Sequence, residues 1–149
     1  MEPKLRNEVV PLLRRRVDPD EYRAIRQLWM AHSIAEDSHD IPGLMATLTE
    51  DCVYTVVNKG VDWHGKAGAT QFYTQLLSAF PDIHFDLQNI VIGPQGVFEE
   101  AFVTGTYQAQ WLDMPTPSGH RIEFAVTILF PWDPEQKLFT GERVYFFLK

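Results

Sequence analysis

Tyr22, Ile25, Trp29, His32 and Glu36 recur at steps of three and four, so one stripe of a helix carries apolar bulk and ends in an imidazole and a carboxylate. A buried charge is costly unless it is paired or put to use, and titratable pairs on a core-facing surface are candidate sites. His32 and Glu36, one turn apart, suit general acid/base chemistry. Burial raises the pKa of a carboxylic acid and lowers that of an imidazole, bringing both toward neutral pH. The same pair also fits a buried structural hydrogen bond between the helix and a neighbouring layer.

Other residues extend this candidate site. Tyr54 sits in a β-branched run with alternating apolar neighbours, where its hydroxyl can serve a developing oxyanion or simply finish a core. Near the C-terminus, strand alternation puts Arg143, Tyr145 and Phe147 on one face and Glu142 on the other. If the first of these faces is turned inward, the guanidinium fork of Arg143 can pair with Glu36 or hold an anionic substrate, with Tyr145 beside it. Trp29 and Tyr107 add aromatic surface for a flat hydrophobic ligand, a role that competes with plain core filling. No two histidines have metal-ligand spacing, so neither a metal nor an organic cofactor is expected.

The elements that must position these groups are legible in turn. Asp18-Pro19-Asp20-Glu21 is a helix start, with Asp18 as cap and Pro19 at the first helical position, and the helix is predicted to run to about Asp37. Asp40-Ile41-Pro42-Gly43 breaks it and opens a second helix through Leu48. A strand from Cys52 to Val57 and a short one from Val61 to His64 flank the turn Asn58-Lys59-Gly60, and a third helix spans Gly65 to Ala79 before Pro81. Four long strands follow, over Ile83 to Ile92, Val97 to Trp111, His120 to Phe130 and Leu138 to Leu148, joined by Gly- and Pro-containing turns that imply an antiparallel meander. Helices followed by a long sheet define an α+β fold with the helices on one face. Both alternating rows of the last strands are largely apolar, which calls for a second cover and predicts a homodimer through the sheet.

Composition bounds the rest. The 149 residues suit one domain, read here as residues 20–149 behind an N-terminal extension of residues 1–19. A net charge of -7 argues against a nucleic-acid partner and an anionic membrane surface. The basic run Arg14-Arg15-Arg16 reads most simply as a solvated segment. The single Cys52 allows no internal disulfide, and no apolar run approaches a membrane span, so a cytoplasmic location is expected.

The order Trp29 through Asp40, Leu44-Met45-Ala46-Thr47-Leu48, Asp51-Cys52-Val53-Tyr54, His64-Gly65, Ala79-Phe80-Pro81-Asp82, Gly105-Thr106-Tyr107 and Gly141-Glu142-Arg143-Val144-Tyr145-Phe146 resembles the SnoaL-like polyketide cyclases of the NTF2-like superfamily. The resemblance implies a cone of three helices over a curved antiparallel or mixed sheet enclosing a pocket. It also implies acid/base chemistry on a small hydrophobic carbonyl or cyclic substrate, of cyclase, isomerase or hydrolase type. The cyclases carry an acid/base aspartate near the end of the last strand, where this chain has Phe147. A non-catalytic ligand-binding or dimerisation module is therefore the alternative.

Overall fold

The computed structural model describes residues 6–148. Helix α1 (Val10–Leu13) precedes α2 (Pro19–Asp37) and α3 (Ile41–Met45). Strands β1 (Leu48–Val56) and β2 (Val61–His64) form a hairpin across a single 3-10 turn, and α4 (Gly65–Ala79) follows. The chain then runs through β3 (His84–Gly93), β4 (Gly96–Thr106), β5 (Arg121–Asp133) and β6 (Leu138–Leu148).

Local chemistry sets the helix starts. The Asp18 carboxylate accepts from the backbone N–H groups of Asp20 and Glu21, satisfying donors that α2 leaves unpaired, and Asp40 does the same for Gly43 at the start of α3. Helix α3 stops at Met45, earlier than the expected Leu48, because Leu48 already pairs with Phe139 as the first residue of β1. Helix α1 was not anticipated. It lies in the N-terminal extension, and Arg15 just beyond it donates to the carbonyls of Pro94 and Trp132, so this member of the basic run ties the extension to the body of its own chain.

The six strands form one open sheet in the order β2-β1-β6-β5-β4-β3. Strands β3 to β6 are the expected antiparallel meander, and β1 joins it by pairing parallel to β6. The fold is α+β, with α4 against β1 and β2 and α2 reaching β3 and β4. Between helices and sheet lies a core that includes Ile25, Tyr54, Phe72, Tyr73, Val126, Ile128 and Phe146. Strand β4 ends at Thr106, short of the expected Trp111. The Asp82 carboxylate takes the Thr106 amide, and the chain turns away into a loop.

The pleat decides which side chains reach the core. On β6, Glu142, Val144 and Phe146 point inward, while Arg143, Tyr145 and Phe147 point out. Gly141 precedes Glu142 at a φ of 129°, and a Cβ there would sit 1.9 Å from the Val53 carbonyl oxygen. Only glycine lets β6 approach β1 this closely, and that approach carries Glu142 into the interior. No helix among the described residues is long and apolar enough to cross a membrane.

Candidate functional site

His32 is 1% exposed, on the inner face of α2. Its Nδ1 lies 2.8 Å from Thr47 Oγ1, and the Thr47 hydroxyl donates in turn to the Leu44 carbonyl at 2.7 Å. With its one proton committed to Leu44, Thr47 can only accept from the ring, so Nδ1 carries a hydrogen. That leaves Nε2 facing Glu142 Oε2 and the Tyr73 hydroxyl, each at 3.1 Å. Tyr73 donates to the same Glu142 oxygen at 2.5 Å, and the Tyr54 hydroxyl lies 2.9 Å from that of Tyr73. The acid that meets the imidazole is thus Glu142, across the sheet, rather than Glu36, one turn along the helix.

The donor count leaves one proton to be shared across the Nε2–Oε2 contact. Either imidazolium faces carboxylate, or neutral imidazole faces a protonated Glu142. Glu142 is 2% exposed, and it acts on Glu36, Glu99, Tyr54 and Tyr73. Burial, reinforced by Glu142, pushes the Tyr54 and Tyr73 hydroxyls well above the usual phenol range, so both remain hydrogen-bond donors.

Glu36 stands apart from this network. Among the described residues its carboxyl has no hydrogen bond or ion pair. Part of its surface stays accessible, yet protein surrounds it and solvates it poorly. Desolvation, and then repulsion from Glu142 and Glu99, holds its pKa well above the ordinary carboxylate range.

Two spaces meet at Glu36. One is a cleft with about 430 Å³ of empty volume, part of it continuous with solvent, lined by Val56, Phe72, Phe85, Trp111, Phe124, Phe146 and other apolar side chains. Among the described residues, Glu36 and Glu142 are the only ionisable groups in its lining. The other, of about 400 Å³, is more polar, and Trp29, His32, Glu36, Asp37, Phe85 and Glu99 help to line it. Trp29 donates its indole N–H to Glu99 at 2.9 Å, and burial followed by the charge of Glu142 raises the Glu99 pKa to about 7. Sequence reading missed Glu99 although it shares the period-2 phase of the buried Val97, Ala101 and Val103.

The structure brings His32, Glu36 and Trp29 to this region, and Tyr54 reaches it through Tyr73. It does not bring Arg143 or Tyr145. Both lie on the outer face of β6, so the expectation that they face the cavity is corrected: the inward phase of the pleat belongs to Glu142. Tyr107 is also elsewhere. It stacks on Phe80, and its hydroxyl donates to the Pro115 carbonyl and accepts from the Trp111 amide.

A family model for the SnoaL-like domain matches residues 27–136, most of the chain, from the middle of α2 through β5. The chain belongs to the SnoaL-like domain family. Among solved structures, it is similar to a protein assigned as a SnoaL-like polyketide cyclase from Jannaschia sp. CCS1, with 16% identity, a TM-score of 0.71, and coverage of 89% of this chain and 90% of that one. A protein assigned as a polyketide cyclase from Xanthomonas campestris pv. campestris is 20% identical over 84% of this chain and 91% of its own, with a TM-score of 0.67. AclR from Streptomyces galilaeus, assigned as a hydroxylase, is 17% identical over 86% and 81%, with a TM-score of 0.69. At these identities the likeness establishes the shared NTF2-like fold, and fold by itself does not set the reaction. No curated protein matches the sequence.

Proposed function

We propose that this SnoaL-like protein is a small-molecule enzyme that moves a proton on a hydrophobic carbonyl-containing or cyclic substrate. The observation that carries the reading is the apolar cleft whose only ionisable lining groups are two carboxyls, Glu36 and Glu142. Glu36, unpartnered and poorly solvated, is suited to take a proton from carbon next to a carbonyl, because its raised pKa makes it a stronger base than an exposed glutamate. Glu142 and His32 hold the second proton. When that shared proton leaves the Nε2–Oε2 contact for a developing enolate oxygen, the Glu142 carboxylate left behind is stabilised by the hydroxyl of Tyr73, which Tyr54 backs in turn. Thr47 fixes the ring tautomer, so only Nε2 exchanges with Glu142. Trp29 acts from the polar side by anchoring Glu99. Whether ring closure, isomerisation or hydrolysis follows depends on the electrophile that the substrate brings.

The test is exchange of α-protons from a panel of hydrophobic cyclic ketones into D2O, followed by proton NMR. The protein is expected to accelerate loss of the signal for at least one ketone. Glu36→Gln should reduce that rate by about 10²-fold or more. An unchanged rate removes Glu36 as the base, and binding without exchange by the unaltered chain would leave the non-catalytic ligand module.

The same proposal includes a second copy of the chain on the outer sheet face. Phe98, Phe102, Leu129, Tyr145 and Phe147 are exposed there, and Phe147 is 54% exposed.

A further inference from the structure

We infer that the cleft selects its ligand by charge, accepting hydrophobic molecules that carry a protonated amine in preference to neutral ones and rejecting carboxylates and phosphates. The inference rests on the reading of this cleft as the substrate site and names the class of molecule that fills it.

Three features of the lining point the same way. Phe72, Phe85, Trp111 and Phe124 line the cleft, and aromatic rings attract a cation through their quadrupole. Glu36 presents a carboxyl that has no hydrogen-bond donor from the described protein, so a ligand N–H supplies what the fold withholds. Among the described residues, neither the apolar cleft nor the polar space that meets it at Glu36 is lined by a lysine or an arginine.

One cation stands near the cleft: the Lys59 ammonium lies 5.8 Å from the centre of the Phe146 ring, and the Asp113 carboxylate neutralises it at 2.8 Å. His32 lines the polar space, but its Nδ1 is spent on Thr47 and its Nε2 on Glu142 and Tyr73. Arg143, the cation that an anionic ligand would have needed, is on the far side of the sheet. Glu36, Asp37 and Glu99 line the polar space that meets the cleft, and each adds negative charge there when ionised, which favours a cation over an anion. Aromatic rings around the unpartnered carboxyl of Glu36 complement an ammonium group on an apolar frame.

The test compares three probes of one shape, 1-naphthylmethylamine, 1-naphthylmethanol and 1-naphthoic acid, by calorimetric or ligand-observed NMR titration of the whole chain at pH 7. The amine is expected to bind at least about tenfold more tightly than the alcohol, and the acid more weakly than both. In Glu36→Gln the gap between amine and alcohol should close while the alcohol affinity is kept, which also shows that the variant folds. Binding of the acid as tight as that of the amine overturns the inference. So does a gap that survives Glu36→Gln, or failure of all three probes to bind. The ketone exchange assay is independent: amine selectivity without proton exchange would retain the ligand class and dismiss the chemistry, and exchange without selectivity would do the reverse.

Discussion

A proton entering this site meets three carboxyls, an imidazole and two phenols whose burial and mutual repulsion set where it rests. Glu99 makes this measurable. Its pKa of about 7 in the folded chain lies above the ordinary 4.5, so between those pH values the folded state binds more protons than the unfolded state. Stability therefore falls as pH rises from about 4.5 toward 7, with Glu36 acting in the same direction. Glu99 is 6% exposed, and the shift corresponds to on the order of 3 kcal/mol. Urea midpoints at pH 5 and pH 7.5 should differ accordingly. Glu99→Gln, which keeps an acceptor for the Trp29 indole, should remove much of the difference and raise stability at pH 7.5. Equal midpoints in the unaltered chain would contradict the burial of this charge.

At the scale of elements, helical spacing placed His32 and Glu36 on one inward stripe, and the Asp18-Pro19 start and Gly65–Ala79 helix stand where the residues indicate. Strands were legible by type but not by phase. When both rows of a strand are apolar, as in β6, alternation says which residues share a face without saying which face is inside. The aspartate position implied by the resemblance, Phe147 here, shares the phase of Arg143 and Tyr145 and points that row inward, whereas the structure turns Glu142 inward. The local signal that settles the phase is Gly141, whose backbone fits only against Val53 of the parallel neighbour β1. That pairing joins segments far apart in the chain, so the glycine becomes readable only once its partner strand is known. Tyr73 was readable as a core residue of α4, but its link to Tyr54, His32 and Glu142 required all four elements to be in place.

For the whole molecule, one face of the sheet is closed by helices and the other shows Phe98, Phe102, Tyr145 and Phe147. A second copy seated there would double the 17.2 kDa mass in sedimentation equilibrium, and Phe102→Lys with Phe147→Lys should return it to one chain. A single-chain mass for the unaltered protein would contradict that assembly without touching the site. The site depends instead on the fold having drawn a carboxyl out of water and left it without a protein partner. Titration of the Glu36 carboxyl by carbon-13 NMR, with its resonance assigned through Glu36→Gln, measures this most directly. The midpoint is expected well above the range of exposed glutamates, and to move down when 1-naphthylmethylamine is added. A midpoint in the ordinary range, unmoved by the amine, would contradict the proposed chemistry at its source.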